Sequence, residues 1–544
     1  MSLHPEDPTA LPEETRRVAR AAFPKGTLCL DIADGLGPIY QDSQFAGLFP
    51  PLGQPAAAPA MLALVTVLQY LEGLSDRQAA EAVRGRIDWK YALRLPLTDP
   101  GFDHTVLSEF RSRLVEGKAE QQMLDTLLDR LRDLGLVKPR GRQRTDSTHV
   151  LAAVRGLNRL ERVGETLRAA LNEVAIMVPA WLRALAPAEW YERYAKRVEN
   201  YRLPKTDAAR QDLAAAIGAD GRTLLRAIDQ ATGQPWLAQI PAVQALRRVW
   251  AEPYVERDGQ VRWREVKDMP APATMISSPY DTDARYSTKR DSTWVGYKVH
   301  LTETCDVDAP HVIVNVETTA ATTPDDNMLA VIHKSLESRD LPPPEHLVDK
   351  GYTDSRVLVD SRNDYGITIT GPVADDPSWQ ARSEEGLDKS QFVVDWDQQV
   401  VTCPAGNRSI SWLPNTYPQN GMVFEARFAR RDCTPCPPAA PGPSVSRASS
   451  DSRRASSMRP CKTLASSRIR RSSGSPMLPG PASKPRTDRR CGLRRCRYVG
   501  LTKTHLQHLI SAAAINLVRI ANWVNGIPTA QTRCSWFAAL QKAA

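Results

Sequence analysis

One stretch of this chain, Pro437–Arg490, cannot help to build a packed core. It is dense in Ser, Arg and Pro, lacks Glu and any aromatic residue, and places its few large apolar residues without a period. Such a composition buries too little apolar surface to offset the entropy of ordering. The sequence on either side is well patterned, so the fold must be assembled from two separated parts. The stretch also sets the charge. It holds 10 Arg and 2 Lys against 2 Asp, which leaves 59 basic and 60 acidic residues elsewhere, a net of −1 against +9 for the whole chain. Overall basicity is therefore no argument for nucleic-acid binding.

With 544 residues the chain is long enough for two or three domains. No apolar run approaches the ~20 residues that span a bilayer. Met1–Arg16 is polar and acidic, unlike a secretory signal. Nine widely spaced cysteines fit a reducing compartment, so a cytoplasmic protein without membrane contact is expected.

Residues 1–55 read as a Pro- and Ala-rich lead-in, with one short ordered piece at Cys29, Leu30 and Ile32. Residues 56–135 read as a compact helical domain. Met61–Leu74 is strongly apolar, Ser75 and Asp103 are placed to cap helices, and Leu124, Leu127, Leu128, Leu131 and Leu134 recur at helical spacing and stop at Gly135. Its helix–turn–helix steps fit DNA contact or ordinary helix packing. The texture changes at Thr145–Val150, then returns to helices over about 155–255, where Leu160, Val163, Leu167, Leu171 and Val174 form one face. Strands are expected at Trp294–Thr302 and His311–Val316, a helix near Asp326–Leu336, a hairpin at Phe392–Thr402 and a helix over Tyr498–Trp523. The order gives an α/β fold: a mixed sheet with flanking helices and a helical insertion, behind an all-helical N-terminal domain.

Two acids sit in similar settings. Asp146 ends a short strand-like run, and Asp349 follows His346-Leu347-Val348. Carboxylates at strand ends reach a sheet rim, and carboxylate oxygens suit Mg²⁺. Two such ions about 3.5–4 Å apart can stabilise both oxygens of an in-line phosphoryl displacement. A strand-end Asp also commonly caps a turn.

The flanking residues carry a resemblance. Thr145-Asp-Ser-Thr-His-Val150, Leu157-Asn-Arg-Leu160 with Val163-Gly-Glu-Thr-Leu167, Trp294-Val-Gly-Tyr-Lys-Val-His-Leu-Thr-Glu-Thr304, His346-Leu-Val-Asp-Lys-Gly-Tyr352 and Arg497-Tyr-Val-Gly-Leu-Thr-Lys-Thr-His-Leu-Gln507 resemble the DDE transposases of bacterial insertion sequences with an InsH-like N-terminal domain. The resemblance covers about residues 40–436 and 491–526. It implies a ribonuclease-H-like catalytic core over 136–436, closed by a helix in 491–526 and followed by a tail at 527–544. It implies Mg²⁺- or Mn²⁺-dependent cleavage of the element's ends and strand transfer into target DNA. The expected partners are double-stranded DNA and further copies of the chain on that DNA, at the nucleoid. Asp146 and Asp349 match the first two acids of the family, as catalytic residues and metal ligands.

The third family acid is a Glu in a Tyr-x₂-Arg-x₃-Glu pattern shortly before the Arg-Tyr-x-Gly-Leu motif. Here that place reads Pro476-Met-Leu-Pro-Gly-Pro-Ala-Ser-Lys484, without Glu. Reading the last base of each codon with the first two of the next permits Tyr-Ala-Pro-Arg-Ala-Gly-Ile-Glu, which restores the pattern. The hypothesis is a compensated frameshift between Cys436 and Cys491; the alternative is a genuine disordered basic linker. Resequencing the gene decides between them, since nucleotides unable to encode the shifted string end the idea. Lys484 in place of a carboxylate repels Mg²⁺ and supplies no acceptor, so the chain as written is expected not to cut DNA. A non-catalytic DNA-binding remnant or repressor, and a metal-dependent nuclease unrelated to mobile elements, are the other readings.

Smaller signals complete the expectations. Cys433-Thr-Pro-Cys436 with Cys403 is a candidate zinc set, short of a fourth ligand. Arg494, Arg495, Arg497 and Lys503 are candidate phosphate contacts. His149, three residues beyond Asp146, could orient it or a phosphate. Lys298, His300 and Glu303 read as a half-exposed strand.

Overall fold

The computed structural model describes residues 10–257, 259–289, 292–372, 391–417, 421–433 and 491–527, with residues 2, 3 and 5. Pro437–Arg490 lies outside them, and with it the frameshift hypothesis. The chain is mixed α/β and divides into two compact units. The first takes in the described residues up to Asp325, Lys334–Pro344 and the described C-terminal stretch; the second takes in Asp326–His333 and the described residues 345–433. Among the described residues no helix is long and apolar enough to cross a membrane.

The first unit opens with seven helices: α1 (Glu13–Ala22), α2 (Leu28–Leu36), α3 (Pro59–Glu72), α4 (Asp76–Gly85), α5 (Ile87–Ala92), α6 (Thr105–Glu116) and α7 (Gln122–Asp133). Ser75 accepts from the Gln78 amide and the Gln78 side chain accepts from the Ser75 amide, a closed capping box at the start of α4. Asp103 accepts from the Thr105 amide at 2.9 Å ahead of α6. Leu124, Leu127, Leu128 and Leu131 of α7 are buried, whereas Leu134, the residue that caps the helix, is exposed just before Gly135 at φ +70°. The expected lead-in is more ordered than a single short piece. It folds as α1 and α2, and Ala19 and Leu30 pack with Tyr91 of α5 in a small core.

Strand β1 (Gln143–Leu151) follows, then the helical insertion. Helices α8 (Arg159–Met177), α9 (Pro179–Leu185), α10 (Ala188–Tyr194), α11 (Asp207–Gln230) and α12 (Pro241–Ala251) enclose their own core, which includes Leu167, Val174, Leu224, Ile228 and Val249. A hairpin, β2 (Tyr254–Arg257) and β3 (Gln260–Trp263), extends the insertion past its expected end. Tyr254 belongs to the insertion core, and its hydroxyl donates to the Ala214 carbonyl at 2.7 Å.

Strands β4 (Arg285–Lys289), β5 (Ser292–Thr304) and β6 (Ile313–Ala320) complete the unit's sheet; β5 pairs antiparallel with β1, β4 and β6. Gly296 on β5 sits at φ +155°, and a β-carbon there would lie 2.1 Å from the Val150 carbonyl oxygen. Only glycine lets β5 approach β1 this closely.

In the second unit β7 (Glu345–Val348) and β8 (Thr368–Thr370) are parallel, joined through α14 (Ser355–Tyr365), which starts at an Asp354 cap. Helix α13 (Leu329–Glu337) precedes β7 in the chain, and His333 and His346 share a buried hydrogen bond of 2.9 Å. Two hairpins follow: β9 (Val393–Asp395) with β10 (Val400–Thr402), as expected near Asp395–Asp397, and β11 (Ser411–Tyr417) with β12 (Gly421–Arg427). Trp396, Trp412 and Phe424 form an aromatic cluster among them. A short turn of helix, α15 (Arg430–Cys433), ends the described part.

The last helix, α16 (Leu501–Val524), returns to the first unit and packs against α2, α3, α7 and β6. Asn516 holds it to the sheet. Its side chain donates to the Ile313 carbonyl at 2.9 Å and accepts from the Ile313 amide at 2.8 Å. This helix thus contacts both the N-terminal helices and the sheet.

Candidate functional site

Asp146 is the fourth of nine residues of β1, not the end of a strand. The strand runs on because Thr148 and Val150, both β-branched, pair with Val299 and Tyr297. Asp146 is half-buried and stands opposite Leu301. Its neighbours Thr145 and Ser147 point to the other face, as alternation requires. Thr145 shares a 2.7 Å hydroxyl hydrogen bond with Thr302, and Ser147 donates to Asp325 at 2.9 Å.

On Asp146's own face, two residues along, lies a buried ion triad. Glu303 accepts from Arg144 at 2.5 Å and from Arg519 of α16 at 2.7 Å, and Arg519 also donates to the His311 carbonyl at 2.9 Å. Burial would raise the Glu303 carboxyl, but Arg519 and Arg144 outweigh it and hold it below the usual range. The opposite face carries a second polar group. Lys298 donates to Asp325 at 2.9 Å and to the Thr323 carbonyl at 2.7 Å. His300 is fully buried beside them and bonded to Thr319 at 3.2 Å. Burial drives its pKa down to about 4, leaving a neutral ring. The expected half-exposed strand is therefore mostly buried, because α16 and the residues after β6 close over it. Arg519 and Asp325, which complete these groups, carried no signal at the level of the sequence. Each is one charged residue in a long chain until the fold supplies its partner.

Asp349 is the first residue after β7, as expected, and is exposed. It accepts from the Gly351 amide at 2.9 Å, so it does turn-capping work whatever else it does. Asp146 belongs to the first unit and Asp349 to the second. Both present carboxylate oxygens, the donor type Mg²⁺ takes, and one or two carboxylates suffice when phosphate and water complete the shell. Among the described residues no group of three or more His, Cys, Asp or Glu is placed to hold a metal.

The basic residues near the C-terminus divide. Arg494 and Arg495 are exposed and lie on a short segment fastened to the end of β1. The Leu151 amide donates to the Arg494 carbonyl at 2.9 Å, and the Cys496 amide donates to the Leu151 carbonyl at 2.8 Å. Arg497 is occupied elsewhere. It donates to the Leu74 carbonyl at 2.9 Å and lies over the Tyr70 ring at 4.5 Å. Tyr70 donates to the Tyr498 hydroxyl at 3.0 Å, and Arg111, paired with Asp76 at 2.6 Å, covers the Tyr498 ring. The Arg-Tyr pair thus fastens the start of α16 to α3 and α6. Lys503 is exposed on the first turn of α16.

Cys403 and Cys433 are half-buried, and Cys436 lies outside the described residues. Cys403 opens a tight turn in which its carbonyl accepts from the Gly406 amide at 2.9 Å. His149 packs on Trp294 with ring centroids 5.4 Å apart. Burial first, then Arg494 and Lys289, lower its pKa.

Residues 18–113 match the family model described as a transposase domain (DUF772), a match confined to the N-terminal helices α1–α6. No curated protein and no solved structure matches the chain. The match supports a transposase function in general terms.

Proposed function

We propose that the chain is an insertion-sequence transposase of the DDE type, with a ribonuclease-H-like core in which Asp146 and Asp349 hold Mg²⁺ or Mn²⁺. The observation that carries the reading is the transposase-domain match in the same chain as Asp146 on a strand within an antiparallel set and Asp349 directly after a parallel one. Bound divalent ions would supply charge stabilisation for in-line displacement at a phosphodiester. The chain's own residues hold and orient: β1 fixes Asp146, the turn through Gly351 fixes Asp349, and exposed cations receive DNA phosphates. The partners are duplex DNA, at element ends and target, and other copies of the chain, in the cytoplasm at the nucleoid. Zinc on Cys403, Cys433 and Cys436 is a secondary proposal, tested by zinc content per chain.

The third acid of the family has no counterpart in this sequence, which favours a second reading of present-day behaviour. The chain binds the element's ends without cutting them and acts as a remnant or repressor. An end-cleavage assay with Mg²⁺ and Mn²⁺, run beside a binding assay, separates the two. Bound but uncut ends are expected; detectable strand transfer overturns the inactivity.

A further inference from the structure

The β2–β3 ribbon of the helical insertion spends only one of its faces on the fold. Alternation puts Tyr254, Glu256, Val261 and Trp263 on one side and Val255, Arg257, Gln260 and Arg262 on the other. The first side is fastened to the insertion. Tyr254 is buried, with its hydroxyl on the Ala214 carbonyl, and Val261 and Trp263 pack against the insertion core. Arg159 lies over the Trp263 ring at 3.9 Å. Glu256 accepts from Arg226 at 2.8 Å and is paired with Arg222 at 3.3 Å, both on α11. One acid thus answers two arginines, and a positive excess remains beside the ribbon. A two-stranded hairpin alone is marginal in water; these contacts hold this one in place.

The second side has no such work. Arg257, Gln260 and Arg262 are exposed, and Val255 is half-buried. The register sets Arg257 opposite Gln260 and Val255 opposite Arg262, so the two arginines are diagonal neighbours, about 7–8 Å apart. Among the described residues neither has an ion-pair partner; Asp258, between them in sequence, lies outside those residues. Two like charges side by side repel and bury nothing, and an anionic partner relieves the repulsion. The shape narrows the partner. The major groove of B-DNA, about 12 Å wide, admits a two-stranded ribbon whose strands are about 4.8 Å apart. Arg and Gln are also the side chains that take two hydrogen bonds from guanine and adenine edges in that groove.

We infer that the β2–β3 ribbon enters the major groove of duplex DNA, with Arg257 and Arg262 turned to guanine edges and Gln260 between them. The site rests on the DNA-binding reading and gives it a place on the molecule. It positions DNA through the insertion and takes no part in the chemistry at the phosphate.

The test measures binding of the full chain to two mixed-sequence duplexes of about three helical turns, identical except that 7-deazaguanine replaces guanine in one. The replacement removes N7, one of the two acceptors that an arginine takes from guanine in the major groove, and leaves every phosphate in place. The unaltered chain should bind the modified duplex about tenfold more weakly. The double variant Arg257→Ala/Arg262→Ala should bind the ordinary duplex at least about tenfold more weakly than the unaltered chain, and should bind the two duplexes equally. Both side chains are exposed, so the variant should keep the circular dichroism of the unaltered chain. Lys267→Ala, which removes an exposed cation already paired with Glu265, is the control and should keep the difference between the duplexes. If the unaltered chain binds both duplexes equally, or the double variant keeps the difference, the ribbon site is wrong and the DNA-binding reading survives. If the unaltered chain binds neither duplex, both fall.

Discussion

Glu303→Gln should be among the most damaging conservative substitutions in the chain. The Glu303 side chain is 6% exposed, and its two partners, Arg144 and Arg519, are 14% and 15% exposed. Removing the carboxylate charge leaves two nearly buried guanidiniums without their shared anion. Breaking a buried pair by removing one partner costs about 3–5 kcal/mol, most of it the penalty of the uncompensated charge. An exposed pair provides the contrast. Glu81→Gln, which breaks the surface contact with Arg84, should cost under about 0.5 kcal/mol. The assay is equilibrium urea unfolding of the full chain at neutral pH, followed by circular dichroism. The pH dependence has a definite sign. The folded Glu303 carboxyl lies below its ordinary value, so its contribution is complete above the unfolded pKa of about 4.5 and fades as pH falls through the folded value. The deficit of the variant should therefore be largest near neutrality and shrink in acid. A loss below about 1 kcal/mol at pH 7 would refute the claim that this triad ties β1, β5 and α16 together.

Gly296→Ala should destabilise the sheet by several kcal/mol, of order 3 or more, because the added carbon would meet main chain rather than a movable side chain; thermal unfolding checks it, and a stable variant contradicts the close approach. Burial holds His300, His333 and His505 near pKa 4 and His346 and His508 near 3, all below the ordinary value. Unfolding lets each ring take a proton, so stability should fall as pH drops below about 6.5, by roughly 2 kcal/mol per ring at pH 5; equal stability at pH 7 and pH 5 would contradict their burial. Arg497→Ala should free the start of α16 from α3, seen as faster amide exchange at Leu74 and along residues 498–504, with Arg495→Ala as the unaffected comparison.

Much of the framework was readable before the fold. The cap residues Ser75 and Asp103, the leucine stripe of α7 and the apolar face of α8 are local signals, and each produced the expected helix. Asp349 followed its strand as its neighbours suggested. Asp146 did not end its strand, because Thr148–Val150 gain pairing partners on β5 that lie far away in sequence. Helix α1 was missed, since its Glu- and Arg-rich run looks like solvated lead-in until Ala19 meets Tyr91. The nearness of the family's last acid makes Arg497 a candidate phosphate contact, and Tyr70 and Leu74, more than four hundred residues earlier, hold its side chain in the structure. Charges carry no partner in the sequence; packing assigns it.

The most direct measurement compares two chains in an end-cleavage assay with Mn²⁺: the chain as written, and one in which the shifted frame restores Glu before the Arg-Tyr motif. The first should bind DNA and leave it whole. The second should cut it, and should stop cutting when Asp146→Asn or Asp349→Asn is added. Cleavage that persists through both of those changes would show that these two carboxylates do not do the chemistry.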